Sequence, residues 1–130
     1  MTQHAAPTPV PRWVGQLMRE IDALDFGVGF ARMTDDTEMF FGTAHVVGAE
    51  AIKAFFVKID EPLHIDHTVL ECWEAPGGVL FLRGEATMAK KTDPDATARA
   101  PFMHLYRLDD GGRIRTIHIT AGPLRTDAVM

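Results

Sequence analysis

His67 is a candidate proton-transfer group, because it falls on the apolar face of a predicted strand. After Pro62 the chain alternates with a period of two, and this pattern predicts a strand. One face of that strand carries Leu63, Ile65, His67, Val69, Glu71 and Trp73. The other face carries His64, Asp66, Thr68, Leu70 and Cys72. An imidazole changes charge near neutral pH. On an apolar face it is either a hydrogen-bonded core side chain or a proton-transfer group.

Arg83 and Glu85 are second candidates, two residues apart on one face of the next predicted strand, Val79–Ala89. The alternate positions of that strand are apolar: Leu80, Leu82, Ala86 and Met88. Charged strand side chains are rarely buried, so the residues themselves favour an ion pair on the solvent side.

Other chemistries lack their motifs. The sequence has no G-x-G-x-x-G at a strand-to-helix turn, no P-loop and no G-x-S-x-G. H-x-H and HExxH spacings are also missing, although His104 and His118 fall on neighbouring predicted strands. We therefore expect no metal, no nucleotide cofactor and no serine nucleophile. Cys72 is the single cysteine, which excludes an intrachain disulfide and fits the cytoplasm.

Length and charge narrow the class further. The chain has 130 residues, enough for one domain, and a formal net charge of −5. The acidic balance argues against a non-specific nucleic-acid binder, and no apolar run is long enough for a membrane span. The N-terminus has no signal-peptide pattern. We predict a mobile arm over residues 1–10, one domain over 11–125 and a tail over 126–130.

The elements that must position these side chains follow an α+β order. Apolar spacing predicts a helix over residues 11–24, a short weak helix over 26–33, and a helix between Gly48 and Pro62. A turn over 34–36 and a short strand over 38–41 precede that last helix. Long antiparallel strands over 63–73, 79–89, 98–108 and 113–121 follow, with a charged loop over 90–97. We expect the helices to pack in the concave face of a curved, mainly antiparallel sheet.

Four stretches carry a resemblance to a known family. They are DALDFGVGFARMTDD (22–36), FGTAHVVGAEAIKAFF (41–56), DHTVLECWEAPGGVLFLRGEATM (66–88) and APFMHLYRLDDGGRIRTI (100–117). In this order they resemble the SnoaL-like branch of the nuclear transport factor 2-like superfamily. The resemblance implies a cone with an apolar pocket for a small hydrophobic molecule and no cofactor. It also implies a homodimer through the outer sheet face, predicted to carry His64, Thr68, His104, Tyr106 and His118.

Two activities of that superfamily lack their residues here. Ketosteroid isomerases resemble this chain, but Leu17, Phe41 and Met103 occupy the positions of their three polar catalytic groups. Limonene epoxide hydrolase has an Arg between two aspartates. Arg83 and Glu85 match one such pair, and Ile119 replaces the second Asp. If this resemblance sets the register, the pair points into the cone.

Scytalone dehydratase and related SnoaL-like proteins place an Asp of the first helix near a strand His. Asp22 and His67 match these positions, while the second His of the dehydratase falls near Ala89. The resemblance thus implies an Asp22–His67 acid–base dyad in a pocket lined by Leu17, Phe41, Phe55, Met103 and Ile119. The expected function is cofactor-free isomerisation, cyclisation, dehydration or hydrolysis. The alternative is a non-catalytic ligand-binding or dimeric interaction module.

Overall fold

The computed structural model describes residues 7–121. Residues 1–6 of the predicted arm, and residues 122–130 with the predicted tail, lie outside the described residues. Thr8, in the second half of the predicted arm, donates its backbone N–H to the Cys72 carbonyl at 2.7 Å. None of the helices in the described range has the length and apolarity needed to cross a membrane.

Two helices and six strands make up the fold of residues 7–121. The helices are α1 (Arg12–Ala23) and α2 (Ala49–Asp60), and a single 3-10 turn covers Phe30–Arg32. The strands are β1 (Met33–Phe41), β2 (Ala44–Val47), β3 (Leu63–Ala75), β4 (Val79–Lys90), β5 (Asp93–Leu108) and β6 (Ile114–Ala121). Both long helices and the four long C-terminal strands were predicted from sequence periodicity, whereas β2 was not.

One open sheet contains all six strands, in the order β2-β1-β6-β5-β4-β3. The β1–β6 pairing is parallel and the other four pairings are antiparallel. Apolar residues of α1 and α2 pack with the inner face of the sheet in one core. The chain therefore has the expected α+β architecture, with helices in the concave face of a mainly antiparallel sheet.

The region before α2 differs from the prediction. The expected helix over residues 26–33 is only the 3-10 turn, and the expected turn at residues 34–36 lies inside β1. Thr37 explains the second difference. Its buried hydroxyl accepts the Thr34 backbone N–H at 2.8 Å and donates to the Ile114 carbonyl at 2.6 Å. These bonds satisfy the backbone where the β1–β6 register shifts.

The expected charged loop over residues 90–97 is also mostly strand. Lys90 pairs with Asp93, so only two residues turn the chain between β4 and β5. The charged and polar residues after the turn are exposed, which is why they read as a loop in the sequence.

A bulge in β3 reverses which side chains face the inner and outer sides of the sheet. The register shifts between Val69 and Glu71, and Leu70 is left unpaired. Beyond this point Cys72 is fully buried and pairs with Leu82, whereas Glu71 and Trp73 lie on the outer face. The prediction that Glu71 and Trp73 share the His67 face is therefore wrong, because one extra residue shifts the period of two.

A buried carboxylate, that of Glu20, holds the chain after α1. It accepts backbone N–H groups from Gly27 at 2.8 Å, Gly29 at 2.8 Å and Phe30 at 3.0 Å. Gln16 donates a fourth bond at 2.7 Å. Burial raises the pKa of Glu20, but these hydrogen bonds outweigh burial and leave the pKa below its usual value of 4.5.

We expect Glu20→Ala to lower the free energy of unfolding by about 3 kcal/mol at neutral pH, because two buried N–H donors and one part-buried donor lose their acceptor. The folded-state pKa is depressed, so the Glu20 contribution is complete above pH 4.5 and disappears as pH falls through the folded value. Urea unfolding at pH 7 and about pH 3 measures both effects. The control Glu50→Ala removes an exposed carboxylate and should change stability by less than about 0.5 kcal/mol.

Candidate functional site

An apolar cavity of about 270 Å³ lies between α1, α2 and the inner face of the sheet. This volume is slightly below the range of roughly 300–1,000 Å³ that is usual for ligand sites. Three polar side chains reach it: Asp60, His67 and His104. The rest of the wall is Ile21, Phe41, Phe56, Ile59, Leu63, Ile65, Ala86, Met88, Ala100, Pro101, Phe102, Ile119 and Ala121.

The Asp22 carboxylate holds His67 twice. Its Oδ1 atom lies 2.5 Å from the ring Nδ1, and its Oδ2 atom accepts the His67 backbone N–H at 3.0 Å. Asp22 comes from the last turn of α1, and His67 comes from the middle of β3. The two residues predicted to form a dyad are therefore brought into contact. The side chains are 18% and 12% exposed, which limits screening by water.

This contact determines which ring atom is available for chemistry. A carboxylate only accepts hydrogen bonds, so we assign the proton of a neutral His67 to Nδ1. The ring forms part of the cavity wall, and Nε2 has no hydrogen-bond partner within residues 7–121. An imidazole held in this way can take a proton at Nε2 while the carboxylate stabilises the resulting imidazolium.

Asp60, which was not predicted from the sequence, is the carboxyl group that lines the cavity. It is the last residue of α2, is 7% exposed, and has no hydrogen-bond partner in the described part of the chain. Burial raises its pKa to about 6; the charge of His67 opposes this rise and that of Asp22 adds to it. In the sequence Asp60 looks like an exposed helix end beside Glu61. The available signal was the four-residue step from Ile52 to Phe56 to Asp60, which forms the buried stripe of α2.

His104 and Tyr106 form a buried pair on β5, with Nδ1 of His104 2.8 Å from the tyrosine hydroxyl. Burial chiefly, with the charge of His67, lowers the pKa of His104 to about 3, and burial raises that of Tyr106. The ring of His104 is therefore neutral at ordinary pH. The predicted placement of both residues on the outer face is wrong.

The same correction applies to Met103, predicted as a pocket residue. It is 46% exposed on the outer face. Both alternate sets of β5 contain apolar residues, so the period of two does not select the inner set. The pairing of His104 with buried Leu82 and Ile119 settles the register.

Two of the four other predicted pocket residues reach the cavity. Phe41 and Ile119 line it. Leu17 is buried in the core instead, and Phe55 packs against Phe41 with ring centroids 5.3 Å apart.

Arg83 and Glu85 lie away from the cavity. Both are exposed, because the inner positions of β4 belong to Leu80, Leu82 and Ala86. Arg83 bonds Glu71 of β3 through Nε at 2.5 Å rather than Glu85. The inward register implied by the epoxide hydrolase resemblance is therefore wrong for this chain.

Comparison with solved structures places the fold. A protein assigned as a SnoaL-like polyketide cyclase from Jannaschia sp. CCS1 aligns with a TM-score of 0.70 at 19% identity, covering 91% of this chain and 86% of its own. A Catenulispora acidiphila protein with a ketosteroid isomerase-like fold, solved with trimethylamine, aligns with a TM-score of 0.72 at 15% identity, covering 89% and 88%.

An epoxide hydrolase of M. tuberculosis, similar to limonene epoxide hydrolase, gives a TM-score of 0.68 at 14% identity and covers 85% and 80%. No family model matches the chain, and no curated protein matches it. At these identities the similarity shows the fold alone, and the fold is that of the nuclear transport factor 2-like proteins, as expected. The fold by itself identifies neither an activity nor a substrate.

Asp60 should make the free energy of unfolding depend on pH, and the substitution Asp60→Asn should remove this dependence. Its folded pKa of about 6 exceeds the unfolded value of 3.8, so its ionisation destabilises the fold progressively as pH rises from 3.8 through 6. We expect Asp60→Asn to be more stable than wild type by about 2 kcal/mol at pH 8, and this difference to vanish near pH 4. Urea unfolding across this range measures it.

The matched control is Asp66→Asn, which removes an exposed carboxylate on β3. Its stability difference from wild type should stay small at every pH. Equal pH profiles for the two variants would contradict the burial of Asp60.

Proposed function

We propose that the protein binds a small hydrophobic organic molecule in the cavity and catalyses cofactor-free acid–base chemistry on it. His67 is the proposed proton-transfer group, and Asp22 is its positioning residue. One observation carries this proposal: the carboxylate of Asp22 lies 2.5 Å from Nδ1 of an imidazole whose ring lines an apolar cavity. The Asp22 contact orients the imidazole and compensates the charge it gains on taking a proton, and both effects favour general base catalysis.

In the proposed reaction the substrate lies with an acidic C–H or O–H near Nε2 of His67. The proton moves to Nε2, and the electron pair stays on the substrate. Asp22 stays ionised and stabilises the imidazolium, since the apolar walls strengthen this short interaction. Return of the proton to another substrate atom completes an isomerisation or cyclisation. Departure of a leaving group that takes the proton completes an elimination, and water addition is its reverse.

Two related chemistries have less support. Of the three positions matched to the polar groups of ketosteroid isomerases, only Phe41 lines the cavity, and it cannot transfer protons. Leu17 lies in the core, and Met103 lies on the outer face. The Arg83 and Glu85 pair, which matches the epoxide hydrolase motif, faces outward. His104 instead supplies a second imidazole at the cavity. The ring of Phe102 lies 5.1 Å from that of His67 and 4.9 Å from that of His104, so it packs against both imidazoles.

The experiment screens cyclic ketones, β-hydroxy ketones and epoxides in D₂O, with deuterium incorporation, elimination or ring opening followed by ¹H NMR. We expect His67→Gln to reduce the rate by about 10²–10⁴-fold for any compound that wild type converts. Asp22→Asn should reduce it less, since an amide still accepts the His67 backbone N–H. Ligand-detected NMR should show that both variants still bind the compound.

Glu85→Gln is the control, because it neutralises a carboxylate on the outer face of the neighbouring strand. Its rate should equal that of wild type. An equal rate for His67→Gln and wild type would refute the proposed role of His67. Binding without conversion of any compound would favour the alternative function, a non-catalytic ligand carrier.

We further propose that a second copy of the chain covers the outer sheet face. Strand pairing aligns a row of apolar and ring side chains across all six strands. Within it, Phe40 stacks between His45 and His118, with centroids 4.5 and 4.7 Å apart. An apolar row across a sheet suits sheet-on-sheet packing by a two-fold axis. This outer row consists of Trp73, Phe81, Leu105, His118, Phe40 and His45.

Leu105→Glu should convert the proposed homodimer into a monomer, because it buries a carboxylate at the centre of the outer row. Light scattering coupled to size-exclusion chromatography measures the mass. Ala54→Glu introduces the same charge at an exposed position of α2 and should leave the dimer intact. A monomeric wild type at about 100 μM, or a dimeric Leu105→Glu variant, would contradict this interface.

A further inference from the structure

Asp60 is the charged group of the cavity that the proposed proton transfer leaves unused. No lysine or arginine of the described chain lines this cavity. His67 already balances Asp22 when it is protonated, and burial keeps His104 neutral. An ionised Asp60 therefore has no counter-charge of its own in the cavity.

The position of Asp60 makes this lack costly for the folded protein. The residue is 7% exposed, and its carboxyl group has no hydrogen-bond donor within residues 7–121. It also ends α2, where the partial negative charge of the helix terminus disfavours an anion. Lys58 lies two residues away but is exposed and does not line the cavity. Buried charges in proteins are normally paired, so an unpaired one at a ligand cavity points to a partner that arrives with the ligand.

We propose that the cavity is a binding site for a hydrophobic amine, whose ammonium group is held by the Asp60 carboxylate. This inference rests on the proposed function, which makes the cavity the ligand site, and it names the chemical class of that ligand. The apolar body of the amine fills the space between the helices and the sheet.

The aromatic residues near Asp60 also favour an organic cation, in addition to the negative charge of Asp60 itself. Phe56 lies one helical turn before Asp60, and Phe41 and Phe102 also line the cavity. Aromatic faces attract alkylammonium groups, most strongly where water is excluded. Carboxylate ligands should bind poorly, because they would bring a second negative charge next to Asp60. The cavity should therefore rank amines above neutral alcohols, and alcohols above carboxylates.

The pH dependence has to consider every titratable group that faces Asp60. The charges of His67 on β3 and Asp22 on α1 act on Asp60, and His104 on β5 lines the same cavity. A protonated His67 would repel an ammonium ion, but its charge is compensated by Asp22 in contact with it. Amine binding should therefore weaken as acid neutralises Asp60.

The experiment compares three probes of one shape: cyclohexylmethylamine, cyclohexylmethanol and cyclohexanecarboxylate. Binding is followed at pH 8 through the NMR signal of the Met88 methyl group, which lines the cavity and so excludes binding to the acidic surface. We expect wild type to bind the amine at least tenfold more tightly than the alcohol and to show no binding of the carboxylate. Lowering the pH to about 5 should remove most of the preference for the amine.

Two variants assign the preference to one carboxylate. Asp60→Asn should bind amine and alcohol within about twofold of each other, with affinity for the alcohol unchanged. Glu61→Gln neutralises the adjacent exposed carboxylate and should keep the wild-type preference. Circular dichroism confirms that each variant is folded before titration.

The outcomes separate this inference from the function on which it rests. Wild type that binds the alcohol as tightly as the amine, or an Asp60→Asn variant that keeps the preference, overturns the amine site and leaves the ligand cavity standing. Failure of all three probes to shift the Met88 signal rejects the amine site and the ligand cavity together.

Discussion

The Asp22–His67 contact joins two parts of the molecule that no backbone pairing connects. β3 is an edge strand, so its N–H groups that point away from β4 have no strand partner. Asp22 accepts one of them and, with its other oxygen, the ring of the same residue. One side chain therefore sets both the position of α1 against the sheet edge and the orientation of the imidazole. The cavity lies beside this junction, so its shape depends on the same contact.

Glu20 supports that junction from two residues earlier on α1. By binding the backbone of Gly27, Gly29 and Phe30, it folds the connection back against the helix that carries Asp22. Gly29 fits this fold because a Cβ atom there would lie 2.9 Å from the Cα atom of Leu17. The two carboxylates of α1 thus have different tasks, one fixing the chain after the helix and the other fixing the strand beside it.

How far the sequence predicts this arrangement depends on the kind of signal. Periodicity is sufficient for α1, α2 and the long strands, since each buries one face. It fails at Leu70, where one extra residue reverses the faces of β3, and along β5, where both faces are apolar. The pairing of Asp22 with His67 came from a family resemblance, because residues 45 positions apart carry no local signal of contact. Asp60 was missed since a charged residue at a helix end is normally solvated.

The distribution of unpaired polar groups gives the strongest argument for a functional cavity. In the described part of the chain, Thr116 Oγ1 is the one fully buried side-chain polar atom without a hydrogen bond. On the outer face, Arg83 bonds Glu71 and His45 bonds Glu38.

Unpaired hydrogen-bonding capacity is found instead on Asp60, His67 and His104, at the wall of one apolar space. Burial favours the neutral forms of Asp60 and His104 and so shifts their pKa values in opposite directions. It raises the pKa of Asp60 to about 6 and lowers that of His104 to about 3. As pH falls below 6.5, His104 therefore lowers the free energy of unfolding, whereas Asp60 increases it as pH falls below about 6. A core selected for stability alone would replace both with hydrocarbon. Their place at one cavity, beside an oriented imidazole, supports the proposal of a ligand whose polar group bonds with them.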